Sequence, residues 1–181
     1  MKTSRWFAAA LAAMAVGAQA QPFQSPAQSP ANADRYLEFS YVPLRVSFGS
    51  VGTELADLGR LMLGVRVHPN VDVEAMLATG LSDVKTGGTS AGKIERSIGL
   101  FVRPGVDISP SLRAFARVGI IDTKLTTTSS GSGFSDRSVA MGLGLSYRLT
   151  DRVSLAADYT RYADFHLVSV DGTSLGVAVR F

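Results

Sequence analysis

The chain has no cysteine. That removes disulfides, thiolate metal sites and thiol nucleophiles together. It has only two histidines, His68 and His166. Two distant histidines among scattered acids do not make a spaced ligand cluster, so no metal and no cofactor is expected. Past the N-terminal segment, no apolar run approaches the roughly 18 residues that a membrane helix needs. Charge of one sign is also lacking. There are 18 Lys and Arg against 15 Asp and Glu, and Lys2 and Arg5 fall in a segment expected to be removed. Near balance gives no electrostatic footprint for nucleic acid, and none is expected as a partner.

The N-terminus has a layout of its own. Lys2 and Arg5 form a short basic start, residues 6–17 are apolar and Ala-rich, and Ala18-Gln19-Ala20 is a small-x-small site. This predicts a signal peptide over residues 1–20, cleaved after Ala20. Residues 21–34 carry Pro22, Pro26 and Pro30 among Gln, Ser, Ala and Asn. Such a stretch buries little and reads as a flexible lead-in. Residues 35–181 remain as one domain.

That domain is a series of period-two segments. The last is the clearest in meaning: Leu175, Val177, Val179 and Phe181 point one way, and Ser174, Gly176, Ala178 and Arg180 the other. The same alternation occurs near residues 36–42, 60–67, 71–79, 94–103, 112–120, 139–149 and 152–162. In the segment at 94–103, Ile94, Arg96, Ile98, Leu100 and Val102 share the oily face, and Glu95, Ser97, Gly99, Phe101 and Arg103 the other. Pro104 lacks the donor a ladder needs, so regular pairing is expected to stop or bulge near Arg103.

Eight strands follow, and their connections alternate. Long ones are expected at 43–59, 80–93, 122–136 and 162–171, the first with room for a short helical turn. Short turns are expected at 68–70, 107–110 and 150–151. All the long loops therefore lie on one rim, with the short turns and both termini on the other. A soluble barrel would turn its bulky apolar face inward. Here the non-oily face carries arginines, acids and glycines on nearly every strand. The pattern predicts an all-β fold, an eight-stranded antiparallel up-and-down transmembrane β-barrel.

On these features, over residues 36–181, the chain resembles the small outer-membrane β-barrel domain family, which includes the membrane domain of OmpA-like proteins. The likeness rests on the signal peptide, the eight alternating segments and the ending Val177-Ala178-Val179-Arg180-Phe181. It implies location in the bacterial outer membrane with both mature termini periplasmic. It also implies that Val177, Val179 and Phe181 form the signal read by the barrel assembly machinery. The periplasmic peptidoglycan-binding domain of many OmpA-like proteins is not expected. Expected partners are outer-membrane lipids, lipopolysaccharide, the assembly machinery, and any extracellular ligand that the four outer loops hold.

Catalysis has little support in the residues. His68 sits beside Pro69 in a short turn. His166 and Ser169, with Asp164 and Asp171 nearby, suggest a hydrolase set. The lipid A deacylase barrel, however, uses His-x-Ser plus Glu, and here the spacing is His-x-x-Ser. On a strand that spacing puts the two on opposite faces.

The interior of an eight-stranded barrel is just wide enough for side chains to fill it. Strand parity sends Glu38, Arg60, Arg66, Asp72, Glu74, Glu95, Arg103, Arg113, Arg117, Arg148, Asp158 and Arg180 inward. Counted from the turns, Glu38, Arg66, Asp72, Glu74, Arg103, Arg113, Arg148 and Arg180 form an ion network in the short-turn half. The expected role is a non-enzymatic structural barrel with a largely plugged lumen. A small anion-leaning, porin-like channel is the main rival, and a lipid A-modifying hydrolase a second. Aromatics should form two interfacial belts, Tyr36, Tyr147 and Phe181 near the short turns, and Tyr41, Tyr159 and Tyr162 near the long loops.

Overall fold

The structure, a computed structural model, describes residues 35–48, 52–82, 84–86, 89–127, 133–165 and 168–181. The expected signal peptide and lead-in lie outside the described residues, as do His166 and the centre of the Ser/Gly-rich connection at 128–132.

The described strands are β1 (Arg35–Phe48), β2 (Gly52–His68), β3 (Val71–Gly80), β4 (Val84–Thr86), β5 (Thr89–Asp107), β6 (Leu112–Thr127), β7 (Gly133–Arg148), β8 (Val153–Phe165) and β9 (Val168–Arg180). The short β4 pairs with the start of β5 at the tip of the β3–β5 hairpin. Eight staves therefore make the wall. Each pairs antiparallel with its neighbours in sequence, and β9 pairs with β1 to close the ring. Closure gives every stave a partner on both sides in the part that carries the apolar belt, as the hydrocarbon layer demands.

Burial in this barrel is the reverse of that in a soluble protein. Phe39 is 65% exposed and Leu143 56%, while Arg60 and Arg117 are each 1% exposed. The exposed apolar residues recur on every stave, among them Leu63, Leu77, Leu100, Ile120, Leu145, Leu155 and Leu175. A continuous belt of that kind on a soluble surface would far exceed an ordinary apolar patch. In a bilayer it is the lipid-facing surface. The alternation read from the sequence holds on this belt.

Four expectations need correction. First, much of the segment expected as outer loops is strand. β1 and β2 stay paired to Phe48↔Gly52, with no helical turn between Gly52 and Gly59. The oily outward face ends where the wall leaves lipid, so the period-two signal fades while main-chain pairing continues. The inward residues Val42, Leu44 and Val46 still alternate there.

Second, β5 runs through Pro104 to Asp107. Pairing with β6 skips from Val102↔Val118 to Gly105↔Phe115 in unchanged register. The proline costs rungs of one ladder and does not end the strand. Pro43 does the same between β1 and β9, where pairing passes from Tyr41↔Leu175 to Leu44↔Gly172.

Third, a β-bulge lies between Ile94 and Arg96, where β5 pairs Ile94↔Leu125 and then Arg96↔Lys124. One extra residue reverses the parity beyond it. Ile94 therefore turns inward and is buried, and Glu95 is exposed and pairs with Lys124 at 2.7 Å. Fourth, Tyr36 and Tyr162 are buried in the lumen and belong to neither belt. Tyr41, Tyr159, Tyr147 and Phe181 are exposed.

Glycines make the lumen wide enough for its large side chains. Tyr36 pairs directly with Gly64, Phe101 with Gly119 and Phe115 with Gly144. A Cβ at Gly64 would stand 2.1 Å from the Tyr36 ring. Each of these three inward aromatics thus lies across a neighbouring strand that has no side chain at that rung.

Candidate functional site: the filled lumen

The lumen has three levels. Toward the hairpin tips it is apolar, with Val42, Leu44, Ala56, Leu58, Ala78, Ile94, Ile121 and Ala140 in one buried cluster. At mid-height it is ionic. At the short-turn mouth it is arginine-rich.

The ionic level is built around two guanidinium groups from β2 and β6. Arg60 donates from Nη2 to Asp158 Oδ2 at 2.6 Å, to Ser174 Oγ at 2.9 Å and to Glu38 Oε1 at 3.2 Å. Its Nε donates to Ser40 Oγ at 3.0 Å, and its Nη1 to the Tyr162 hydroxyl at 3.0 Å. Arg117 forks onto Glu74, from Nε to Oε2 at 2.5 Å and from Nη2 to Oε1 at 3.1 Å. Its Nη1 reaches Asp158 Oδ2 at 2.9 Å, and Nη2 lies 3.7 Å from Glu38 Oε2. Asp158 therefore joins both arginines. Thr160 and Ser174 also donate to it, at 2.8 and 2.6 Å. Charges taken out of water are tolerable only with this degree of mutual satisfaction.

A second layer links the centre to the mouth. The Tyr36 hydroxyl donates to Glu74 and accepts from Arg103 Nη1 at 2.7 Å. The Arg103 guanidinium lies 3.8 Å from the Phe115 ring centroid, a cation–π contact in a buried setting. Arg103 Nη1 also lies 3.4 Å from Glu74 and 3.9 Å from Asp72. Arg66 Nε donates to Asp72 at 2.9 Å.

Of the residues expected in the network, Glu38 and Glu74 meet the central arginines. Arg66, Asp72 and Arg103 form the layer below. Arg113 pairs at the rim with Asp107 at 3.1 Å and donates to the Pro69 carbonyl at 3.2 Å. Arg148 and Arg180 line cavities at the short-turn end. The central members Arg60, Arg117 and Asp158 were among the residues parity turns inward. Counting height from the turns left them out, although inward parity was the signal that could have found them.

On the outer face, Val177, Val179 and Phe181 share one exposed row. The Phe181 N–H donates to the Arg35 carbonyl at 2.9 Å, across the seam where β9 meets β1.

No catalytic geometry emerges among the described residues. His68 is exposed at the end of β2, and its Nδ1 accepts from the Asn70 N–H at 3.3 Å. No group of three or more acids and histidines is placed to hold a metal ion among the described residues. No described helix is long and apolar enough to cross a membrane, which says nothing of strands.

The family model for the outer membrane protein β-barrel domain matches residues 7–181. Solved structures share the fold at low identity. The attachment invasion locus protein Ail of Yersinia pestis is 16% identical, with a TM-score of 0.62 over 82% of this chain and 99% of that one. Neisserial surface protein A is 19% identical, with a TM-score of 0.61 over 81% and 97%. The N-terminal barrel domain of Pseudomonas aeruginosa OprF is 17% identical, with a TM-score of 0.58 over 81% and 97%. No curated protein matches the chain by sequence.

Proposed function

Since the chain belongs to the outer membrane protein β-barrel domain family, we propose that it is a non-catalytic structural barrel whose role is rigidity and display. The bacterial outer membrane is its location, with the short-turn rim and both barrel termini on the periplasmic side. The observation that carries the reading is Asp158 held between Arg60 and Arg117, beneath a buried apolar level. Among the described residues, side chains of those two levels fill the lumen, so ions and nutrients are not expected to pass and the lumen is closed.

The hairpin tips then form the working surface. Just beyond the apolar belt, the exposed Arg45, Arg96, Lys124 and Arg137 face outward. Such cations suit the phosphate groups of lipopolysaccharide. Ail has been solved with a heparin analogue, sucrose octasulfate. By analogy, an extracellular polyanion is a candidate ligand of this chain, and the hairpin tips are where it would engage. Val177, Val179 and Phe181 serve as the signal for the barrel assembly machinery.

Planar-bilayer recording of purified protein tests the closed lumen. Wild type should be nearly silent, and Glu74→Gln should raise leakage by freeing Arg117 and Arg103 from their shared carboxylate. A large, steady wild-type conductance, unchanged by Glu74→Gln, overturns the closed lumen and favours the anion-leaning channel.

A further inference from the structure

We propose that the short-turn mouth of the barrel binds a tetrahedral oxyanion, a phosphate group, in a blind vestibule walled by Arg113, Ser146, Arg148, Ser154 and Arg180. The vestibule follows from the ladder. Arg113 pairs with Ser146, Arg148 with Ser154, and Arg180 with Tyr36, all at inward positions near one height. Two adjoining cavities of about 40 and 30 Å³ lie among these side chains. The larger has room for about three waters, and so for one four-oxygen anion in their place.

The charge there is one-sided. Six arginines line the two cavities, against the two aspartates Asp72 and Asp107. Asp72 is engaged by Arg66 and Asp107 by Arg113. Among the described residues, no carboxylate lies within ion-pair distance of Arg148 or Arg180. The β6–β9 side of the mouth is therefore a cationic wall with two serine hydroxyls and no acid lining it.

Buried donors point to the same need. Arg103 is 5% exposed and lines the larger cavity, and its Nε has no hydrogen-bond partner. Arg113 Nε is likewise buried without one. A buried donor left unsatisfied is costly, and an anion in the cavity offers acceptors to it. Guanidinium forks match phosphate oxygens in pairs, and serine hydroxyls add neutral donors.

The ionic level above makes the vestibule a dead end, so it binds and does not conduct. In this respect the proposal rests on the closed lumen. Two sources share the chemistry, free phosphate in the periplasm and the headgroup of an anionic inner-leaflet lipid.

The test is nuclear magnetic resonance of the folded barrel in a phosphate-free maltoside micelle, titrated with inorganic phosphate. The backbone amides of Arg113, Ser146, Ser154 and Arg180 should shift saturably. Sodium chloride at matched ionic strength should not reproduce the shifts. The double variant Arg148→Gln with Arg180→Gln should weaken the apparent affinity at least tenfold, and Arg161→Gln, toward the hairpin-tip end of β8 opposite Asp171, should leave it unchanged. Circular dichroism of each variant establishes that it is folded.

In phosphatidylglycerol nanodiscs, amides already shifted and unmoved by added phosphate identify the headgroup as the source. A continued titration there identifies the free anion. Equal shifts with chloride, or an unweakened double variant, overturn the site. A conducting wild type with saturable binding intact would defeat the closed lumen alone. A silent bilayer without binding would defeat the vestibule alone.

Discussion

Arg60 on β2 and Asp158 on β8 meet at 2.6 Å inside the barrel, three strands apart around the wall and 98 residues apart in sequence. The contact ties distant parts of the chain at mid-height in the lumen, where both groups are buried and depend on protein partners. Removing one partner leaves the other short of its strongest counter-charge in a buried site, so Arg60→Met should cost roughly 3–5 kcal/mol. Asp158→Leu should cost at least as much, since Arg117, Thr160 and Ser174 also lose their acceptor. The double variant should cost clearly less than the sum of the two. Urea titrations of the refolded barrel, followed by circular dichroism, measure the cycle. Strict additivity would mean that the pair is not coupled.

Gly64 sets a limit on the lumen. Its missing side chain is the space in which the Tyr36 ring lies, and that ring carries the hydroxyl linking Glu74 to Arg103. Gly64→Ala should therefore destabilise by about 1–3 kcal/mol through overpacking. Gly59→Ala serves as the contrast. There the nearest atom to an added Cβ belongs to the Leu81 side chain, at an ordinary contact distance of 3.4 Å. Its effect should fall within about 0.5 kcal/mol of zero, because alanine also suits a strand better than glycine. Equal losses at the two sites would show that backbone effects, and not the tyrosine, dominate.

The belt and the lumen differ at adjacent residues. Leu143 is exposed to lipid, and Gly142 faces inward against Thr160. Leu143→Arg should cost roughly 2–4 kcal/mol by placing charge in hydrocarbon. Gly142→Arg should instead impair folding by overfilling the lumen. A spin label at 143 should be quenched by oxygen in lipid. A water-accessible label at 143, with a lipid-accessible one at 142, would reverse the assignment.

The wall was legible in the sequence because lipid imposes a strict alternation on it. Leu61, Leu63 and Val65 on one face, with Arg60, Met62 and Gly64 on the other, announce a strand and its orientation together. That constraint ends at the interface. Val42, Leu44 and Val46 continue β1 beyond it, but their outward neighbours Pro43 and Arg45 no longer look like a lipid face. Ile94 and Glu95 were misassigned for a different reason: a bulge adds one residue without marking itself in composition. Tyr36 and Tyr162 were drawn to the belts by the interfacial habit of tyrosine, although parity already turned them inward. The network's membership depended on height within the lumen. Height is set by register around the whole ring and cannot be counted from one turn at a time.

The end of β9 separates stability from assembly. The Phe181 main chain bonds to Arg35, while its ring is 70% exposed at the short-turn rim beside the row of Val179 and Val177. An exposed ring contributes little packing within the barrel. Phe181→Ala keeps the backbone bond, so the purified, refolded variant should unfold within about 0.5 kcal/mol of wild type, as surface changes usually do. In cells the same variant should show a several-fold lower level of folded barrel in outer-membrane fractions, read as the heat-modifiable band on gels, if the ring is the feature that the assembly machinery reads. Val179→Ala should show a milder loss of the same kind. A Phe181→Ala protein that reaches the membrane at wild-type levels under native expression would remove the assembly role. One that is equally impaired in refolding would reassign the residue to stability.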